Sequence, residues 1–148
     1  MSAERSPVGP PASAVLPDKA RPRGTFPHFR RAGGFIFVSG TSARRADDSI
    51  AGVKIGADGT VRRDAALQTR AVLENLRDIL AGAGATLADV VEISTFLTDM
   101  ADFDAYNRTY SEFFGFDGPA RTTVAVRELP HPHLAIEIKA VAYRPAGP

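Results

Sequence analysis

The alternation of apolar and polar positions that marks a half-buried strand begins at Phe29, gives way to a helical period after Asp64, and returns in the last third of the chain. Residues 29–32 and 35–39 flank Gly33-Gly34, which supplies the positive φ angles of a tight hairpin. From Gly40 to Gly59 the chain is polar and rich in turn residues, and only residues 50–55 predict a strand there, at a sheet edge. Asp64 stands where an N-cap belongs. After it Leu67, Ala71, Val72, Leu76, Ile79, Leu80 and Ala83 recur on one side of a first helix that Gly82 and Gly84 can stop. The β-branched run 90–97 predicts a further strand. A second helix, over residues 102–114, carries Phe103, Tyr106, Tyr110, Phe113 and Phe114 on its apolar face.

Two strands close the chain. In residues 120–126, Arg121, Thr123 and Ala125 share one face, opposite Thr122, Val124 and Val126. In residues 134–143, Leu134, Ile136, Ile138, Ala140 and Ala142 share a face, opposite Ala135, Glu137, Lys139, Val141 and Tyr143. The order hairpin, helix, strand, helix, two strands predicts an α+β sandwich, a mixed β-sheet with both helices packed on one face. The other face is then bare in a monomer. An apolar sheet face left bare predicts a homo-oligomer.

Composition narrows the function classes. The chain has 148 residues, the size of one domain, and a net charge of +1, so no global field points to nucleic acid or an anionic membrane. No apolar run approaches the ~20 residues that span a bilayer. There is no cysteine, which excludes disulfides, thiolate metal sites and cysteine nucleophiles and fits a cytoplasmic protein. Residues 1–24 contain Pro7, Pro10, Pro11, Pro17 and Pro22 and read as a flexible Pro/Ala-rich arm, with order beginning near Phe26 and the domain running over residues 25–146.

Few residues can carry chemistry. Arg121 opens a strand of small and β-branched side chains, so its guanidinium either lies in water at the rim or forks a substrate carboxylate. Glu137 sits between Ile136 and Ile138; it is a solvent-facing acid, a partner for Lys139, or a carboxylate whose pKa burial raises toward water activation. Asn107 falls on the aromatic face of the second helix, where an amide ties a loop or positions a ligand. Ser39, before Gly40, has the same two readings. His131 and His133 lack an evident third ligand, so no metal site and no cofactor is expected. The doublets Arg30-Arg31, Arg44-Arg45 and Arg62-Arg63 read first as solvated surface.

These residues stand in stretches that resemble the RidA (YjgF-type) family of reactive intermediate deaminases. The matching segments are Phe35-Ile36-Phe37-Val38-Ser39-Gly40, Gln68-Thr69-Arg70 through Glu74-Asn75-Leu76, and Asp102-Phe103 with Asn107, Tyr110 and Phe113-Phe114. The strongest are Gly118-Pro119-Ala120-Arg121-Thr122-Thr123-Val124 and Ile136-Glu137-Ile138-Lys139-Ala140-Val141-Ala142. Within the family the likeness is to the branch acting on 2-aminomuconate in aromatic-compound breakdown. It rests on Arg23-Gly24-Thr25-Phe26-Pro27-His28, on residues 39–45 with Ile50-Ala51-Gly52-Val53, and on Leu129-Pro130-His131-Pro132-His133-Leu134.

The resemblance implies a chorismate-mutase-like fold and a homotrimer, or a hexamer of two, whose sheets form a central barrel with clefts between subunits. It implies Arg121 as the carboxylate-binding and Glu137 as the water-holding catalytic residue, with Phe26, Ser39, Asn107 and Thr123 lining the substrate pocket. Phe26 stands where many members have tyrosine, Thr123 where some have cysteine, Thr41 where glutamine is common, and Lys139 where a second acid is usual. The distal carboxylate of 2-aminomuconate needs another cation, and Arg44, Arg45, Arg30 and the His131/His133 loop are all candidates. Broad 2-iminoacid deamination and non-catalytic binding of small carboxylates are the alternative functions.

Overall fold

In the computed structural model, which describes residues 11–146, the first pairing lies earlier than the sequence predicts. Strand β1 (Ser13–Ala14) pairs with β2 (Phe29–Ala32), Ser13 opposite Arg30 and Ala14 opposite Phe29. The expectation of a loose arm up to Gly24 is therefore corrected for residues 13–24; the first ten residues lie outside those described. Side-chain anchors outweigh the prolines here. Leu16 lies against Gly82, and the buried His28 accepts the Leu16 N–H at Nδ1 (2.8 Å) and meets the Ala20 carbonyl through Nε2 (2.9 Å).

Gly33, at φ 57°, turns the expected hairpin from β2 into β3 (Phe35–Thr41). Residues 50–55 do not form an edge strand of the main sheet. Only Val53–Ile55 (β4) is extended, and it pairs with Val61–Arg63 (β5) in a separate ribbon turned at Gly59, φ 83°. Helix α1 (Ala65–Gly82) starts where predicted, with Asp64 Oδ1 accepting the Leu67 N–H at 2.9 Å. Its buried stripe is turned from the predicted one: Leu67 is half exposed, whereas Gln68, Thr69 and Leu73 are buried.

Strand β6 (Val90–Leu97) has the predicted bounds. Helix α2 (Phe103–Tyr110) is shorter than predicted, and Phe113 and Phe114 lie in the turn that returns the chain to the sheet, still packed on the core. Strands β7 (Ala120–Ala125) and β8 (Ile136–Tyr143) complete a six-stranded sheet in the order β1-β2-β3-β8-β6-β7, antiparallel except for β6-β7. Among the described residues, no helix is long and apolar enough to cross a membrane.

Both helices cover one face. Leu73, Leu76 and Leu80 of α1 and Tyr106 of α2 meet Ile36, Ile93, Ile136 and Ile138 of the sheet in one core, each such aliphatic side chain contributing about 1.5–3 kcal/mol by burial. The other face is bare. Phe35, Phe37, Val91, Val124 and Tyr143 are each between 42% and 47% exposed.

Candidate active site

Arg121 lies on the helix-covered side of the edge strand β7, opposite Ile93 of β6. α2 runs beside it, and the guanidinium carbon sits 4.7 Å from the ring centres of both Tyr106 and Tyr110 and 5.9 Å from that of Phe103. Its Nη2 donates to Oδ1 of Asn107 at 2.7 Å. Asn107 thus orients the fork from the helix. Among the described residues, no carboxylate lies within ion-pair distance of Arg121. A half-buried cation on an aromatic tray with no counter-charge has the chemistry to receive an anion.

Thr123, two residues along on the same face, donates through Oγ1 to the Tyr106 hydroxyl at 3.4 Å, and Thr95 shares that hydroxyl at 2.7 Å. The Tyr110 hydroxyl is buried without a partner, and its pKa is pushed up to about 12 by burial and by Tyr106 beside it, against the pull of Arg121. It stays neutral. The tyrosines were legible only as the apolar face of a helix; their role beneath Arg121 depends on how that helix meets β7.

Glu137 occupies the bare face of β8, opposite Phe96 of β6. Burial raises its pKa above the usual carboxylate value, and among the described residues it has no ion pair, so Lys139 is not its partner. The pairing of β3 with β8 slips between Val38 and Thr41, and this irregularity brings Gly40 against the Glu137 carboxylate: a Cβ on Gly40 would lie 2.6 Å from Oε2. Ser39, beside it, donates its hydroxyl to the Pro27 carbonyl at 2.8 Å and so anchors the segment that carries Phe26. Phe26, Ser39, Gly40, Thr41 and Arg44 line one small pocket together with Lys19 and Asn75.

Two amides of α1 fix the loops around this half of the site. Gln68, fully buried, donates to the His133 carbonyl and accepts the Ala135 N–H, both at 2.8 Å. Asn75 donates to the carbonyls of Ser42 (2.9 Å) and Arg44 (3.2 Å). Seven residues apart, they share a helix face with the core stripe. That position, a polar residue in phase with apolar ones, is the signal that could have singled them out as loop clamps.

The candidate residues therefore form two groups. Arg121, Asn107 and Thr123 lie together beside α2; Glu137, Ser39, Phe26 and Arg44 lie around Gly40, with His131 in the loop before β8. Within one chain the sheet separates Arg121 from Glu137.

Residues 18–144 match the family described as Endoribonuclease L-PSP. The chain belongs to that family, which includes the RidA and RutC proteins. It is 39% identical to a RutC family protein of Pyrococcus horikoshii over 84% of this chain and 90% of that one. It is 36% identical to the 3-aminoacrylate deaminase RutC of Acinetobacter baylyi, over 90% of this chain and 98% of the relative. Among solved structures, RidA from an Antarctic Psychrobacter superposes with a TM-score of 0.74 at 25% identity, over 88% of this chain and 98% of that one. These relatives match nearly end to end, and the α+β sheet with two helices is the fold of the family.

Proposed function

We propose that this chain is a hydrolytic deaminase for an enamine or imine next to a carboxylate, with 2-aminomuconate as substrate and 4-oxalocrotonate and ammonia as products. The observation that carries the reading is Arg121: a guanidinium laid on Tyr106 and Tyr110, aimed by Asn107 and lacking any carboxylate partner among the described residues. A substrate carboxylate supplies the missing charge in bidentate geometry. The enzyme is cytoplasmic in this reading, and it needs neither metal nor cofactor, because a protonated imine carbon is already electrophilic.

The enamine is first protonated at carbon, giving the iminium. Water held by Glu137 then adds to the C=N carbon while the carboxylate takes its proton. That proton passes to the nitrogen, the C–N bond breaks as ammonia leaves, and the hydroxyl releases its proton to solvent as the carbonyl forms, balancing the one taken from solvent at carbon, so the net change is addition of water and loss of ammonia. Arg121 contributes orientation, holding the reacting carbon where the water arrives. The raised pKa of Glu137 favours its return of the proton.

A homotrimer fits this reading, with the bare faces carrying Phe35, Phe37 and Tyr143 turned inward as a barrel, and Arg121 of one copy facing Glu137 of the next. A second reading takes a smaller monocarboxylate enamine as substrate, and the name of the Acinetobacter relative, a 3-aminoacrylate deaminase, favours it. Ammonia release by the purified protein from 2-aminomuconate and from 2-iminopropionate, each generated in place, decides between them. Faster release from 2-aminomuconate is the expected result. Preference for 2-iminopropionate establishes the second reading, and release from neither overturns the deaminase.

A further inference from the structure

We propose that Arg30 and Lys139, on the bare face of the sheet beside Glu137, form a second anion subsite that reads the distal carboxylate of a dicarboxylate substrate. The inference rests on the carboxylate grip of Arg121 proposed above and adds where the other end of the substrate lies.

The strand registers bring the two cations to one cleft. Arg30 of β2 stands opposite Phe37 of β3, and Phe37 opposite Val141 of β8, two residues from Lys139 on the same face. Arg30 and Lys139 thus flank β3, and with Phe37 and Ser39 they line one open cleft of about 520 Å³. That volume is in the range of small-molecule sites. Ser39 leads the cleft to the catalytic carboxylate, since Gly40 next to it lies against Glu137. Glu137 and Lys139 themselves are two residues apart on β8, about 7 Å along the strand. A six-carbon chain extended from a reacting carbon at Glu137 covers that distance, with the Phe37 ring as an apolar wall.

The two charges are unanswered. Among the described residues neither Arg30 nor Lys139 makes an ion pair. Besides Glu137, the acid nearest in register is Glu92, opposite Val141 on β6 and so across β8 from the cleft. Phe35, Phe37 and Tyr143 make this face apolar, and the homotrimer proposed above covers it. Covering it takes both cations out of water with no carboxylate of their own chain against them, which is costly until an anion arrives. The other cations that could serve are engaged or elsewhere. Arg44 is bonded to Asp48 (2.8 Å) and to the Arg21 carbonyl (2.6 Å), and Arg45 to Ser49 (3.1 Å). His131 lines a separate hollow with Arg63 and Arg127.

Muconate and sorbate, six-carbon dienoates with two carboxylates and one, test the subsite as binding probes on the full-length protein, by titration calorimetry. Wild type is expected to hold muconate about tenfold tighter than sorbate. Arg30→Gln and Lys139→Gln should each cut that ratio about threefold, and the double variant should bring it to about one, while sorbate affinity stays within about twofold. Lys139→Arg keeps the charge and should keep most of the ratio. Both side chains are exposed in the single chain, so neither substitution opens the core, and the wild-type ratio is a test that needs no variant. Equal binding of the two probes by wild type, or an unchanged ratio in the double variant, overturns the subsite and leaves the Arg121 grip standing. Sorbate affinity insensitive to Arg121→Lys, or no binding of either probe, overturns that grip and the subsite with it.

Discussion

Arg121 and Glu137 lie on opposite faces of one sheet, with only β6 between their strands. Arg121 stands opposite Ile93 beneath the helices, and Glu137 opposite Phe96 on the bare side. One small substrate cannot reach both through the backbone of a sheet; in the homotrimer proposed above it would meet the arginine of one copy and the glutamate of another. Mixing the inactive variants Arg121→Ala and Glu137→Ala, unfolding them together and reassembling them should therefore restore activity. In random trimers about a quarter of the sites receive both native residues. Ammonia release from the mixture, against each variant alone, is the measurement; a mixture as inactive as its parts excludes shared sites.

The two residues should fail in different ways. Arg121→Lys keeps a charge but loses the planar fork, so KM should rise with a smaller loss of kcat. Glu137→Gln keeps size and polarity but removes the base; kcat should fall about 10²–10⁴-fold while carboxylate inhibitors still bind. Wild-type turnover in Glu137→Gln removes the glutamate from the mechanism.

Burial holds the Glu137 pKa above its usual value, which sets two pH dependences. The base must be ionised, so kcat should drop as pH falls through this raised pKa, on an acid limb that Glu137→Gln abolishes. Stability runs the other way. The folded state binds the Glu137 proton more tightly than the unfolded chain, so this contribution is present in acid and is lost as pH rises through the folded pKa. Glu137→Gln should accordingly raise Tm at neutral pH and leave it unchanged in acid. A lower Tm at neutral pH contradicts the assignment.

Gly40 is required for space rather than for backbone conformation. The methyl of Gly40→Ala would meet Oε2 and Cδ of Glu137 at 2.6 and 2.9 Å, so the carboxylate must move. Misplacement of a catalytic group by about 1 Å can cost 10²-fold, and a loss of kcat of that order is expected with native circular dichroism and assembly. Full activity in Gly40→Ala means the glutamate does not need its observed place.

His28 fastens residues 13–24 to the domain through Leu16 and Ala20. His28→Phe keeps the ring and deletes both bonds, at about 1 kcal/mol each. Trypsin should then cut after Lys19 and Arg23 many times faster than in wild type, with the remaining domain intact. Equal cleavage rates locate the anchor elsewhere.

How much was legible in advance follows from how local each cause is. The hairpin at Gly33, the cap at Asp64, the bounds of β6 and the shared face of Ile136, Ile138, Ala140 and Ala142 all follow from short-range periodicity and turn chemistry. Arg121 and Glu137 could be singled out because a charge in an apolar strand has few ways to be satisfied. Other features depend on contacts between distant segments. The docking of residues 13–24, the rotation of the α1 stripe that buries Gln68, and the early end of α2 all reflect partners far away in sequence. Local propensity predicts none of them, because tertiary packing outweighs it by several kcal/mol. The same holds for the aromatic tray under Arg121, and for the separation of Arg121 from Glu137. Alternation assigned each residue a face of its own strand, but only the order and direction of the strands determined that those faces are opposite sides of one sheet.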